Sequence, residues 1–285
     1  MILIADSGST KTNWLLTDGK KIIKQITTVG YNPYYHKDDG LATSMKNGLL
    51  PDVDGEKIKK IFFYGSGCSS DINCTIVKSA LWQLFPNALV EVHHDLFGTA
   101  VALLKNNKGI ACILGTGSNS CLWDGNKIMQ NVPSVGWLLG DEGSGTYLGK
   151  LILKGILEKD APTDIINKFY NYYETSFENI LKTIYNEPKP NGYISSIIIF
   201  AQKNINNFWI RNVIKQSFND FIDNQIKKYD NYQNLEVSFT GSVAYHFSDI
   251  LLETCHESEI KTGIIIKNPI EGLFTYHANM LNQNL

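Results

Sequence analysis

The stretch Asp6-Ser7-Gly8-Ser9-Thr10-Lys11-Thr12 follows the apolar run of residues 1–5 and packs a carboxylate, a glycine, four hydroxyls and an ammonium into seven residues. Gly8 lets backbone approach a ligand closely, the hydroxyls of Ser7, Ser9, Thr10 and Thr12 supply donors, and Lys11 adds positive charge; together these make an anion cradle. Asp6 by itself would repel an anion. It makes sense as a ligand, direct or through water, of a Mg²⁺ ion held between it and phosphates. The same residues also suit a plain polar hairpin tip. A second stretch, Gly115-Thr116-Gly117-Ser118-Asn119, is equally permissive, and the pairing of two such bends raises both above the ordinary glycine turn. A third, Thr240-Gly241-Ser242 in VSFTGSVAYHF, sets a small-residue turn ahead of a helix, whose first amides and positive dipole end suit a nucleotide.

The elements that would position these residues alternate. Residues 1–5 and 13–17 read as strands closed by the Asp18-Gly19 turn, so the polar stretch is the bend between paired strands. ACILGTGSNSCLWDGNKI repeats that plan, down to the Asp124-Gly125 turn followed by Lys-Ile. Two related halves are expected, each opening on a hairpin whose bend points into a shared cleft. Between them, residues 58–64 read as a strand ending in Gly65-Ser66-Gly67, 73–85 as a helix, 88–93 as a strand and 95–105 as a helix with Asp95 suited to its cap. Beyond Gly140 the pattern is mostly helical, with helices expected at 144–158, 205–228, 243–255 and 270–282, strands at 235–240 and 262–266, and a loop at 186–192.

At 285 residues the chain exceeds the usual single core, and two domains of roughly 100–170 residues follow. Its 26 basic side chains nearly balance 28 acidic ones without a basic block, which argues against a nucleic-acid partner. No apolar run reaches the roughly 18 residues that span a bilayer, and the chain opens directly on strand and turn, so no membrane association and a cytoplasmic location are expected. Five scattered cysteines (Cys68, Cys74, Cys112, Cys121, Cys255) form no Cys-x-x-Cys pair and read as reduced, buried thiols. His93, His94 and His246 read as structural, since no third ligand at metal spacing accompanies them.

The order DSGSTKTNW, YGSGC, ILGTGSN, GWLLGDEGSGTYLG and FTGSVA resembles the branch of the actin, Hsp70 and sugar kinase superfamily that contains N-acetylglucosamine kinases and BadF-type ATPases. The resemblance runs from Asp6 to about Ala244, and the GDEGSG segment is its most specific part. It implies an α/β fold of two ribonuclease-H-like (actin-like ATPase) domains flanking an interdomain cleft. The expected domains are 1–112 and 113–285, with the last helix packing back on the first. The implied activity is phosphoryl transfer from ATP, with Mg²⁺, to a hydroxyl of an N-acetylated amino sugar, most plausibly N-acetylglucosamine.

By the same resemblance Asp95 in HHDLFGTA is the base that receives the proton of the attacking hydroxyl, although a plain helix cap fits the position from the residues alone. Ser7, Gly8, Ser9, Thr10, Lys11, Thr12, Gly115, Thr116, Gly117, Gly241 and Ser242 become nucleotide contacts, and Asp6 the Mg²⁺ site. Asn32, Ser118, Asn119, Gly136, Trp137 and Asp141 become sugar contacts. Trp137 equally suits a core position and Asn32 a turn before proline. Two departures stand out: Ser7 and Ser9 replace glycines common in relatives, and Thr240-Gly241-Ser242 replaces a double glycine, a bulkier turn that loosens the expected hold on adenine. Dimers are common among relatives, so a homodimer is expected by analogy.

The alternative within the branch is an ATPase that drives a redox partner through an iron–sulfur cluster, for which Cys112 and Cys121 are the candidate thiolates. A sugar sensor or filament protein is a third class, and the chain lacks the N-terminal DNA-binding helix pair of such repressors.

Overall fold

The computed structural model describes residues 1–8, 10–33 and 40–283, so Ser9 lies outside the described residues. The chain divides into two compact units, Met1–Asn107 with Asp124–Ile128 and Asn268–Leu285, and Lys108–Trp123 with Met129–Lys267. The division falls slightly before the boundary expected at residue 112, and the last helix groups with the first unit. No helix among the described residues is long and apolar enough to cross a membrane.

The first unit is built from β1 (Ile2–Ser7), β2 (Lys11–Thr17), β3 (Ile22–Val29), α1 (Gly40–Leu49), β4 (Lys60–Gly65), α2 (Asp71–Leu84), β5 (Leu89–His94) and α3 (Asp95–Leu104). The second contains β6 (Gly109–Leu114), β7 (Ser118–Trp123), β8 (Ile128–Gln130), α4 (Gly136–Leu139), α5 (Gly145–Leu157), α6 (Thr163–Tyr173), α7 (Phe177–Asn186), α8 (Pro190–Ser196), α9 (Ile198–Lys203), α10 (Phe208–Asn224), β9 (Val237–Thr240), α11 (Ser242–His246), α12 (Ser248–Glu257) and β10 (Thr262–Ile266). Helix α13 (Ile270–Gln283) closes the chain.

The two sheets run in the orders β3-β2-β1-β4-β5 and β8-β7-β6-β9-β10. In each, the hairpin is antiparallel and its first strand pairs in parallel with the strand that follows: β1 with β2 and β4, β6 with β7 and β9. The repeat read from two short stretches is therefore a duplication of the whole sheet. Both hairpins turn the same way too. Asp18 Oδ1 accepts the amides of Lys20 and Lys21, Asp124 Oδ1 accepts those of Asn126 and Lys127, and Gly19 and Gly125 take φ values of 93° and 105° that a Cβ disfavours.

Because β1 is central and covered on both faces, Leu3, Ile4 and Ala5 are all fully buried, as an unbroken apolar run predicts. Trp14 packs against Tyr31 and Phe63 in the first core while its indole N–H donates to Thr28 Oγ1 at 2.9 Å. Such aromatic burial contributes roughly 1.5–3 kcal/mol per side chain. In the second unit α5 buries Gly145, Leu148, Gly149, Ile152, Leu153 and Ile156, the stripe of an amphipathic helix. Ser144 caps it by accepting the Tyr147 amide.

Several expected boundaries move for identifiable reasons. Pro190 opens α8 at a first-turn position where its missing N–H costs nothing, so the expected loop shrinks to residues 187–189. The single helix expected over 243–255 breaks at Phe247, whose non-helical backbone (φ −114°, ψ 27°) lets its ring enter the core. Asn207 starts α10 by accepting the amides of Trp209 and Ile210. Helices α1, α6, α7 and α9 had no counterpart in the sequence reading.

The close approach of α8 to α5 gives a stability test. A Cβ at Gly149 would lie 2.0 Å from the Ile194 carbonyl oxygen, and backbone cannot step aside. Gly149→Ala should lower unfolding free energy by about 3 kcal/mol in urea titrations, whereas Gly192→Ala, where nothing lies within 4 Å, should change it by less than about 1 kcal/mol and in the stabilising direction.

Candidate active site

In the first unit the carboxyl ends of β1, β4 and β5 lie side by side, with Asp6 in register with Tyr64 and His93, and Ser7 with Gly65 and His94. The next residues out are thus Gly8, Ser66 and Asp95, at the edge of a parallel sheet where ligands characteristically bind. Asp6 and Asp95 are close enough for each carboxylate to feel the other. Desolvation, then the Asp95 charge, pushes Asp6 up to about 7, against a hydrogen bond from Asn13 and the charge of Lys11. Desolvation also raises Asp95, with His94 and the amides of Leu96 and Asp95 itself opposing it. Neither is sealed off: the Asp95 side chain keeps 22% of its surface, and Asp6 is of intermediate exposure. Walls of protein displace most of the surrounding water while leaving a face open.

Asp95 is the first helical residue of α3 rather than its cap. The cap is His94, whose Nδ1 accepts the Leu96 amide at 3.2 Å and stands 3.2 Å from Asp95 Oδ1. Sequence reading took His94 as structural and missed this contact, though the adjacency of His94 and Asp95 at a strand-to-helix junction was a visible signal.

The first loop is a four-residue bend between Ser7 and Thr12. The Gly8 amide donates to the Lys11 carbonyl, and the Thr10 carbonyl accepts from Gly30. Ser7 and Thr12 are fully buried; their hydroxyls bond each other at 2.7 Å, Ser7 Oγ also engages the Tyr31 backbone, and Thr12 Oγ1 donates to the Val29 carbonyl. Of the hydroxyls expected to face an anion, these two turn inward and fix the hairpin instead, leaving Thr10 and Lys11 exposed at the tip. Asn32 is buried just beyond Tyr31 in the same unit. Ser66 donates its amide to the Ser7 carbonyl at 2.7 Å, and its own hydroxyl is buried without a partner.

In the second unit the loop is one residue shorter, Gly115–Gly117 between paired Leu114 and Ser118. The carbonyls of Gly115 and Thr116 accept the amides of Gly145 and Thr146 at the start of α5, and Thr146 Oγ1 adds a second bond to Thr116 at 2.7 Å. A trans peptide points its N–H opposite its C=O, so the amides of Thr116 and Gly117 face away from α5, and among the described residues neither meets a protein acceptor. This is the backbone-lined cradle.

Gly241 completes that region: a Cβ there would lie 2.2 Å from the Leu114 carbonyl and 3.0 Å from the Gly115 amide, so the third turn abuts the loop. Ser242 opens α11 beside it, and Thr240 Oγ1 is buried without a partner.

The Asp141 carboxylate lies over the same loop. It accepts from Ser134 Oγ at 2.9 Å and from the Ser118 amide, and a Cβ on Gly117 would come within 2.8 Å of its Oδ2. Asp141 adopts φ 59°, which L-residues rarely take, and desolvation raises its pKa despite those bonds and Lys150. Asn119 Oδ1 accepts from Ser120 and Asn131. Gly136, at φ 77°, opens α4 with its amide on Ser134 Oγ. Trp137 packs partly on the core, and its carbonyl accepts from Lys150 Nζ at 2.6 Å.

Ser134 and Lys150 were missed from the sequence. Lys150 is a half-buried cation between the apolar positions of α5, and that was its signal. Cys112 and Cys121 are both fully buried, and desolvation raises their thiols, Cys121 to about 12. Neither offers a thiolate at a surface, so the cluster-bearing alternative loses its ligands.

The two sheets and their shared topology are those of the two-domain actin-like fold of sugar kinases. Over 98% of this chain and 99% of the other, the structure superposes on a candidate N-acetylglucosamine kinase from Porphyromonas gingivalis with TM-score 0.94 and 35% identity. A second candidate N-acetylglucosamine kinase, from Chromobacterium violaceum, matches at TM-score 0.67 and 12% identity over 97% and 98% of the chains. A ROK family glucokinase from Streptomyces griseus, solved with glucose and AMPPNP, matches at 0.59 and 13% over 99% of both; these two share the fold. No protein-family model and no curated protein matches the chain. The chain belongs to the N-acetylglucosamine-kinase-like family of actin-like sugar kinases.

The charge on Asp6 is open to measurement. Its folded pKa of about 7 exceeds the unfolded 3.8, so the folded state holds the proton more tightly. Stability from this group is complete below the unfolded value and is lost as pH rises through about 7. Asp6→Asn should raise stability by of the order of 2 kcal/mol near pH 8 and leave it nearly unchanged near pH 4, read from paired thermal melts.

Proposed function

We propose that the protein is an ATP-dependent kinase of an N-acetylated amino sugar, with N-acetylglucosamine the first candidate. The observation that carries the reading is the meeting of Asp6 and Asp95 at the carboxyl ends of parallel strands. It is supported by full-length likeness to the Porphyromonas gingivalis protein. Two hard oxygen donors short of positive charge fit Mg²⁺, which uses one or two carboxylates and keeps waters and phosphate oxygens for its other positions. Among the described residues no three His, Cys, Asp or Glu side chains gather into a dedicated cage. When bound, Mg²⁺ neutralises charge on the transferring phosphate oxygens.

The rest falls to the protein's own groups. Asp95, with its raised proton affinity, accepts the proton of the sugar hydroxyl as that oxygen attacks the terminal phosphorus. Asp6 holds the metal-binding position, and Thr10 and Lys11 offer a hydroxyl and a positive charge to phosphate oxygens. The amides of Thr116 and Gly117 donate to nucleotide phosphate oxygens, and Gly241 and Ser242 line an adenosine end. Asp141, held by Ser134 and the Ser118 amide, accepts from sugar hydroxyls, with Asn32, Asn119, Gly136 and Trp137 as further sugar contacts. A homodimer in the cytoplasm is the accompanying expectation, checked by light scattering and fractionation.

Purified protein with ATP and Mg²⁺ should release ADP with N-acetylglucosamine, or with N-acetylmuramic acid or glucosamine; silence across these sugars overturns the reading. Asp95→Asn should cut kcat by about 10²–10⁴ while nucleotide still binds by calorimetry. Unchanged turnover would remove Asp95 as the base. Asp141→Ala should raise the sugar KM with little change in that of ATP.

A further inference from the structure

Among the five cysteines Cys74 alone is incompletely buried, and it sits beside another thiol. Cys68 lies in the connection between β4 and α2, and Cys74 in the first turn of α2. Cys74 Sγ donates to the Cys68 carbonyl at 3.4 Å, and the proton affinity of each thiol responds to the other. The segment around them is laced: the Cys68 amide donates to the Gly65 carbonyl, Asn73 Nδ2 to the Gly67 carbonyl at 2.7 Å, and Ser70 caps the helix. The backbone of the segment thus holds the two cysteines as neighbours.

We propose that Cys68 and Cys74 form a reversible intramolecular disulfide when a peroxide reaches Cys74. The Cys74 sulfur attacks one peroxide oxygen, the O–O bond breaks and water leaves, giving a sulfenic acid. The Cys68 sulfur then attacks the Cys74 sulfur, the S–O bond breaks and a second water leaves. Two thiols lose two electrons, and hydrogen peroxide becomes two waters. The cross-link closes in the segment that carries Ser66, whose amide holds the Ser7 carbonyl at the base of the first loop. Desolvation first, then the Cys74 and Asp95 charges, raises the Cys68 thiol, so Cys68 stands within electrostatic reach of Asp95. Oxidation therefore slows turnover, a consequence that rests on the kinase reading.

The test is peptide mapping of the full chain after treatment with hydrogen peroxide in mildly alkaline buffer. Both cysteines fall on one tryptic peptide, residues 61–78. That peptide should lose two hydrogens and resist alkylation, and dithiothreitol should reverse both effects, while Cys112, Cys121 and Cys255 alkylate after denaturation. Cys74→Ser, at the partly exposed position, should fold normally and leave Cys68 a free thiol; Cys68→Ser should let Cys74 proceed to sulfinic acid. Free thiols on that peptide, sulfinic acid in the unmutated chain, or a link to another cysteine overturns the proposal. ATP turnover should fall several-fold on oxidation, recover with dithiothreitol and be insensitive to peroxide in Cys74→Ser. A cross-link with turnover unaltered overturns the regulatory step; a cross-link in a chain that never turns over ATP with a sugar overturns the kinase reading and leaves the disulfide standing.

Discussion

Two carboxylates of the first unit are held near each other and away from most of the water that would screen them. Asp6 is the penultimate residue of β1 and Asp95 begins α3, and the parallel register of β1, β4 and β5 fixes how far apart they stand. Folding takes both carboxylates out of water at the sheet edge, which raises the proton affinity of each, and the Asp95 charge adds to the rise at Asp6. A fold gains nothing in stability from that arrangement. It is sustained by the core beneath, where Leu3, Ala5, Phe63 and Trp14 are buried and the strand ends cannot drift. A cation bound between them would relieve that cost, which is what the proposed phosphoryl transfer asks of the site. The repulsion is thus the physical link between the hydrophobic sheet and the chemistry proposed for its edge.

The duplicated sheet of the second unit meets the complementary requirement, holding an anion, with peptide geometry in place of charge. Helix α5 offers amides at its start, and the loop carbonyls of Gly115 and Thr116 take them. Fixing the carbonyls fixes the opposite faces of the same peptides, so two amides are presented at no conformational cost when a ligand binds. The arrangement favours glycine at 117. The Asp141 carboxylate occupies the space a side chain would need, so the Asp141 turn and the loop Gly115–Gly117 are packed as one piece.

The central elements were legible in the sequence because each is locally over-determined. Residues 1–5 are apolar on both faces, Asp18-Gly19 and Asp124-Gly125 demand the same turn, and residues 262–266 were bounded correctly by their β-branched content. The helical insertion over 159–207 was not legible. Its four helices are short, and their apolar positions meet one another across tertiary contacts rather than repeating along the chain. The candidate site divides the same way. Asp6, Asp95 and the second loop stand where strand ends put them, which periodicity reveals. Among the partners that tune them, His94 was visible beside Asp95, whereas Ser134 and Lys150 come from positions whose nearness to Asp141 depends on how the chain closes, and a linear pattern carries only faint signs of that.

Ser7 shows why composition alone misleads at such a loop. Where relatives carry glycine, a hydroxymethyl group reads as bulk placed in the path of a phosphate. In the folded chain Cβ alternation along β1 sends that group to the other face, into a ring of hydrogen bonds with Thr12 and the Tyr31 backbone. The ring ties the end of β3 to the hairpin that precedes it, and Thr12 anchors the same hairpin to Val29. A glycine at position 7 would leave Thr12 Oγ1 and the Tyr31 amide each short of a buried partner and free the hinge of the bend. The serine therefore stiffens the loop. Its departure from the family pattern changes how the loop is held, and leaves the approach to Thr10 and Lys11 open.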